Sequence, residues 1–310
     1  MRIILSDKDV SAYSWPDDVV VKGVSYKTLD EYSGSDEVVA IAGSRAMAIK
    51  ASTMNLPSLK LFQLTSAGFD GVPLDDYAQK GIMVANAGSV YSAPIAETVV
   101  LGILLMAKRL RKNPNNRFFK LTRGYSEITE LCGKSVLIMG AGNIGTAVAD
   151  RLSGFGMHID AYDPYCAEKS QYDRIFRNRN DLVASMANYD YIVSTLPDNQ
   201  KTKGFIDKEL VSSMKKNAVI VNVGRKAVFN EADLYSALKS KQIGGAVLDM
   251  FEKLPNPITN KFRRLSNVIV LPGVAAISKE VNDRLKKHMS DNILSVLDGK
   301  MPQNIINEVK

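Results

Sequence analysis

The chain has 310 residues, a formal net charge of +7, 45% hydrophobic and 24% charged residues. That length suits two domains of ordinary size, and the balance excludes collagenous, low-complexity and intrinsically disordered chains. Two cysteines, Cys132 and Cys166, offer neither a disulfide framework nor a metal-ligand spacing, so a reducing, cytoplasmic setting without a metal is expected.

The positive charge gathers at 108–112 and 174–179. No nucleic-acid motif accompanies these clusters, so they read as solvated surface. No apolar signal core follows Met1, and the longest clean apolar stretch, 99–107, is too short to cross a bilayer. Nucleic acid and membrane are therefore not expected partners.

In chain order, short apolar runs at 2–5, 19–24, 37–41, 60–64 and 82–85 alternate with helical stretches. This alternation predicts an open parallel sheet with helices on both faces. Residues 97–110 then predict a helix apolar on most sides, which must be buried between domains or subunits. A second alternating series places strands at 135–139, 158–162, 191–194, 218–222, 245–248 and 267–271. It holds enough strands for two mononucleotide-binding halves. Residues 279–297 predict a last helix, with Val281, Leu285, Met289, Ile293 and Val296 at helical spacing.

The second series opens on Gly140-Ala141-Gly142-Asn143-Ile144-Gly145, between a strand and a helix, with Asp163 eighteen residues after Gly145. Each glycine has a separate task in holding a dinucleotide. Gly140 permits the tight turn, Gly142 lets the backbone approach a pyrophosphate, and Gly145 lets helix and strand pack closely. The helix N-terminus then offers unpaired N–H groups and partial positive charge to the phosphates.

Ordered segments at 64–75, 93–105, 133–165, 191–206, 218–252 and 267–273 resemble the NAD-dependent D-2-hydroxyacid dehydrogenases over nearly the whole chain. The resemblance implies an α/β protein with two doubly wound parallel sheets. A Rossmann-type NAD domain at 96–277 would be inserted into a flavodoxin-like lid domain, built from 1–95 and 278–310. It also implies a homodimer formed through the apolar helix near 97–110, and a small anionic 2-oxo or 2-hydroxy acid as substrate.

Roles carry over by position. Asn143 and Ile144 would lie under the pyrophosphate. Asp163 would accept hydrogen bonds from the adenosine ribose and repel a 2′-phosphate, favouring NAD over NADP. Pro197 and Val223 would line the cofactor, and Asp249 would stand near the nicotinamide. Backbone N–H groups of Ser66, Ala67 and Gly68 would meet the substrate carboxylate. Arg225 would bind and polarise the acid, since its fork suits a carboxylate and stays charged.

Two members of the family's catalytic set have no counterpart. The position of the proton-shuttling histidine holds Gly273, and that of its glutamate partner holds Leu254. Both matches are pinned by a neighbouring proline, Pro272 and Pro255. His158 and His288, the only histidines, read as scaffold. The double loss is coherent, because a buried carboxylate without its imidazolium would be desolvated and unpaired. Water, Lys226, Glu252, Lys253 or Tyr91 are the candidates to replace the acid. Two readings follow: an NAD-dependent oxidoreductase with altered acid–base chemistry, or a weak or inactive dinucleotide-binding sensor or scaffold. A nucleic-acid-associated role is a third, less favoured.

Overall fold

Runs of Val, Ile and Leu buried on both sides form parallel strands, because β-branched side chains pack well on a pleat covered by helices on each face. A computed structural model describes residues 1–10, 13–110, 128–249 and 260–309 of the chain. It divides them into two compact units, one of Met1–Tyr91 with Ser278–Lys310 and one of Ser92–Ile277.

In the first unit, strands β1 (Arg2–Ser6), β2 (Val19–Gly23), β3 (Val38–Gly43), β4 (Leu61–Leu64) and β5 (Met83–Ala85) make an all-parallel sheet in the order β2-β1-β3-β4-β5. This is the flavodoxin-like order, whose direction reverses between β1 and β3. Alternate residues feed two cores. Ile3, Leu5, Ile41 and Phe62 meet helices α1 (Arg45–Ser52) and α2 (Leu74–Gln79). Ile4, Ala40, Ala42 and Leu61 lie against the long terminal helix Lys279–Leu297.

The second unit carries β6 (Ser135–Met139), β7 (His158–Tyr162), β8 (Arg174–Phe176), β9 (Tyr191–Ser194), β10 (Val219–Asn222), β11 (Gly245–Leu248) and β12 (Val268–Val270). They form one parallel sheet ordered β12-β11-β10-β9-β6-β7-β8. The reversal falls between β6 and β9, where a doubly wound sheet opens its ligand crevice at the carboxyl ends of the strands. Helices α3 (Gly88–Ala107), α4 (Asn143–Ser153), α5 (Arg179–Ser185), α6 (Lys208–Ser212) and α7 (Glu231–Lys239) connect or flank the strands, and α8 (Lys279–Leu297) returns to the first unit.

The structure corrects three expectations. First, Arg174–Phe176 is the edge strand β8 and not merely basic surface. Its three residues carry one charge and two apolar groups, too short a run for alternation to show. Secondly, α3 begins at Gly88, nine residues before the expected start, and runs through Pro94. Gly88, Ser89, Ser92 and Pro94 disguise the first turns as a loop. At twenty residues, α3 is long and apolar enough to cross a membrane by length and composition, contrary to the shorter stretch read from sequence, but 56% of its most apolar stretch is buried. Thirdly, α3 ends at Ala107, not Leu110. Arg109 adopts φ +56°, while Leu110 N–H donates to Leu105 O at 2.9 Å and Arg109 N–H to Met106 O at 3.3 Å. That is a Schellman stop, satisfying carbonyls the helix leaves open.

Helix α8 matches its expected bounds, and Val281, Leu285, Met289, Ile293 and Val296 are all buried. Trp15, the only tryptophan, packs against the same cluster and reports on this unit. Ile293→Ala is expected to lower stability by about 2–5 kcal/mol, read from Trp15 fluorescence in urea. Met301→Ala, at a residue 73% exposed, is expected to change it by less than about 0.5 kcal/mol.

Candidate functional site

The glycine-rich turn follows β6 directly, at the sheet's reversal point. Gly140 has φ +100°, and a Cβ there would lie 2.6 Å from Thr195 Oγ1. Thr195 closes the turn by donating its hydroxyl to Gly140 O at 2.9 Å. A Cβ on Gly145 would come within 2.0 Å of Gly140 O, so α4 and the turn touch backbone to backbone. A Cβ on Gly142 would meet nothing within 4 Å. Two glycines are thus required by the fold itself. The middle one, N-cap of α4, opens onto free space where a pyrophosphate could approach. Exposed Asn143 and partly buried Ile144 form the first turn behind it, whose N–H groups no helical carbonyl can satisfy.

Asp163, one residue past β7, faces this turn. Its Oδ2 accepts Ala141 N–H at 3.0 Å, and its Oδ1 accepts Tyr165 N–H at 2.9 Å and Cys166 N–H at 3.1 Å. On the other side of the same residue, Lys169 Nζ donates to Ala141 O at 2.6 Å and to Thr146 Oγ1 at 3.0 Å. The acid and the lysine therefore hold Ala141 by its two opposed backbone groups. Sequence reading missed Lys169, and no motif marks it.

Val223 is buried after β10, and its N–H donates to Ser194 O at 3.1 Å. Gly224 follows where a Cβ would be 2.7 Å from Leu196 O. Arg225, partly exposed, turns Nη1 to Gly224 O at 2.9 Å, while Asn222 Nδ2 donates to Arg225 O at 3.2 Å. Pro197 is exposed and its carbonyl accepts Thr202 Oγ1 at 2.6 Å. Lys226, a candidate acid, pairs with Glu231 at 3.1 Å. The hydrogen bond from Lys261 holds the Glu231 carboxyl below its usual range, against the effect of burial, and Lys226 adds to the lowering.

Buried Asp249 lies at the carboxyl end of β11. Its Oδ1 accepts N–H of Gly273 and of Val274, each at 3.0 Å, and its Oδ2 accepts Ala275 N–H at 3.2 Å. It organises the turn that carries Gly273, whose φ is +81°. A side chain at 273 would meet backbone strain of about 1–2 kcal/mol. Leu254, Glu252 and Lys253 lie outside the described residues.

In the first unit, the loop after β4 has an ordered polarity. Thr65 O accepts Tyr91 Oη at 2.6 Å, Ser66 O accepts Ala87 N–H at 3.0 Å, Ala67 O accepts Asn86 Nδ2 at 2.9 Å and Gly68 O accepts Ser66 Oγ at 2.7 Å. In a planar trans peptide the N–H of the next residue points the opposite way. The N–H groups of Ser66, Ala67 and Gly68 therefore face away from these anchors, and no partner for them occurs among the described residues. Successive N–H groups left without a protein acceptor are donors of the kind that a small anion takes. Burial, then the charge of Asp7, push the Tyr91 phenol up, and its proton is already given to Thr65 O, so it is poorly placed as an acid.

His158 is exposed on β7, and His288 is buried on α8 with Nε2 3.0 Å from the carbonyl of Asn86, behind the 66–68 loop. No cluster of three or more metal-ligating side chains occurs among the described residues.

Residues 101–275 match the family model for the NAD-binding domain of D-isomer-specific 2-hydroxyacid dehydrogenases. The chain is 31% identical to the D-3-phosphoglycerate dehydrogenase of Methanocaldococcus jannaschii over 90% of its length, spanning 53% of that protein. It is 30% identical to the glyoxylate reductase of Thermofilum pendens over 81% of its length and 76% of the relative. A 2-hydroxyacid dehydrogenase family protein of Aeromonas salmonicida superposes with a TM-score of 0.80 at 25% identity, covering 99% of both chains. An NADPH-dependent glyoxylate/hydroxypyruvate reductase of Sinorhizobium meliloti, solved with citrate, gives 0.75 at 22% identity, covering 99% of this chain and 98% of that one.

The glycine geometry separates fold from binding. Gly145→Ala is expected to lose both NADH binding and thermal stability. Gly142→Ala is expected to keep its melting temperature while NADH affinity, followed by nucleotide fluorescence, falls by about tenfold or more.

Proposed function

The chain belongs to the D-isomer-specific 2-hydroxyacid dehydrogenase family, and we propose that it transfers a hydride between NAD and a small 2-hydroxy or 2-oxo acid. The observation that carries this reading is the anion loop 66–68, present in a chain that also holds the dinucleotide turn. A bound nicotinamide would supply or receive the hydride.

Support for NAD over NADP comes from Asp163. Three of its four acceptor positions are used by backbone N–H groups, leaving one on Oδ2 for a ribose hydroxyl. Its charge would oppose a 2′-phosphate. Asn143 and Ile144 would sit under the pyrophosphate, with Pro197 and Val223 against the cofactor and Asp249 supporting the nicotinamide side through the 273–275 turn. Ser66, Ala67 and Gly68 would donate to the substrate carboxylate. Arg225 would pair with the acid and stabilise charge developing on its carbonyl oxygen.

The proton is the atypical element. Gly273 has no side chain to supply it, and Tyr91 and Lys226 are engaged elsewhere. Solvent then delivers the proton, with Glu252 and Lys253 the remaining candidates. Losing a positioned acid lowers the rate by roughly 10²–10⁴-fold, so a slow enzyme is the expectation. The positive φ of Gly273 also supports a second reading, a nucleotide-binding sensor or scaffold with little turnover.

One assay separates the two. Steady-state reduction of glyoxylate, pyruvate and hydroxypyruvate by NADH should be slow and should lack an imidazole limb between about pH 6 and 7. It should fall by about 10- to 150-fold in Arg225→Ala. NADH binding without turnover above that variant would favour the sensor, and absence of NADH binding would defeat both.

We also place a dimer contact, in the reducing cytoplasm, on the side of α3 where Leu101 is 54% exposed beside partly exposed Val100, Leu104 and Leu105. Leu101→Lys is expected to halve the mass measured by sedimentation if the protein is a dimer through this face. An unchanged dimer would place the contact elsewhere.

A further inference from the structure

The anion loop is shaped from behind, and the side chain of one buried residue, Asn86, fixes its central Ala67 carbonyl. Asn86 follows β5 at the start of the turn into α3. Its Nδ2 donates to Ala67 O at 2.9 Å, and its Oδ1 accepts Gly88 N–H at 3.1 Å. Its own N–H donates to Asn304 O at 3.0 Å, and its carbonyl lies 3.0 Å from His288 Nε2. Every polar atom of Asn86 is engaged, and the residue is buried.

The bonds fix proton positions as well as atoms. Asn292 Nδ2 lies 2.7 Å from Gln63 Oε1, 3.0 Å from Gln303 O and 3.3 Å from His288 Nε2. A carboxamide nitrogen has two hydrogens, and the two nearer oxygens take them. Asn292 Oδ1 accepts Gln303 N–H at 2.8 Å, which sets the orientation of the amide. His288 Nε2 therefore carries a hydrogen and donates it to Asn86 O. The chain of bonds runs from α8 through His288 to Asn86 and on to Ala67.

We propose that Asn86, buttressed by His288, is the positioning residue of the anion loop. It holds the Ala67–Gly68 peptide with its carbonyl inward and the Gly68 N–H outward toward a substrate carboxylate. Without the bond from Nδ2, that peptide is free to rotate, and rotation would present a carbonyl oxygen to the anion. The inference rests on the reading of loop 66–68 as a carboxylate site.

The test compares Asn86→Ala and Asn86→Asp with wild type in NADH-dependent reduction of glyoxylate, with oxalate as a competitive inhibitor. Asn86→Asp keeps the acceptor for Gly88 N–H but replaces the donor to Ala67 O with a negative charge. The KM for glyoxylate and the inhibition constant for oxalate are expected to rise about tenfold in Asn86→Ala, and more in Asn86→Asp, as loss of a hydrogen bond to a charged group implies. The limiting rate should change much less, and NADH affinity, set in the other unit, should not change. Should the Asn86 variants fail to fold, His288→Leu is expected to raise the same two constants by a few fold, and His288→Gln, which retains a donor, to restore them. Both constants remaining within twofold of wild type in folded variants would overturn the positioning role while leaving the function intact. Wild type that binds NADH but shows neither glyoxylate turnover nor oxalate binding would instead overturn the carboxylate reading, and this inference with it.

Discussion

A carbonyl oxygen of Gly140 sits where a Cβ on Gly145 would have to be, 2.0 Å away. That close approach is the constraint on which the second unit depends. It seats the N-terminus of α4 directly over the end of β6, at the only reversal of strand order in that sheet. Sterics, and not attraction, select the residue type there. The same logic acts at Gly224, whose backbone passes against Leu196 so that Arg225 emerges from the adjacent strand end. At these two places, and at Gly244 against Asn217 O, a single methyl group would meet backbone.

Both candidate sites use main-chain N–H groups as donors, but the fold frees them by different means. At α4 the first turn has no helical carbonyl to accept its N–H groups. At 66–68 they are open because each preceding carbonyl is tied down from behind. The second arrangement needs many side chains from distant parts of the sequence, and it includes a buried polar network of Gln63, Asn86, His288 and Asn292. Such networks are stabilising only when their members are satisfied. This one is nearly so, although Ser290 Oγ is buried nearby in the chain without a partner among the described residues.

Most strands of the two sheets were legible because burial demands continuous apolar runs, and α8 because its buried positions keep roughly helical spacing. The glycine turn was legible because sterics limit it to one residue type at fixed intervals. The first turns of α3 were not, since Gly88, Ser89 and Pro94 are loop formers held in a helix by tertiary packing. Strand β8 was hidden by its brevity. The roles of Asn86 and Lys169 could not be read at all, and the family resemblance that marked Asp249 did not show its hold on the 273–275 turn. Each depends on which backbone groups the fold brings within reach, and a lone Asn, Lys or Asp carries no spacing that reveals it. The nonlocal partnership of His288 with Asn86 spans 202 positions.

The first unit is assembled from two stretches of chain that flank the whole of the second. During synthesis the ribosome completes residues 92–277 before α8 exists. The second unit has all its strands by then, whereas β1 to β5 must wait with one face of their sheet uncovered. Domains generally form as units in the order they emerge, so here the later-made helix closes the earlier-made sheet. A nascent chain would complete its second unit first, and the 66–68 loop, whose anchor Asn86 is held by His288 of α8, would be braced last.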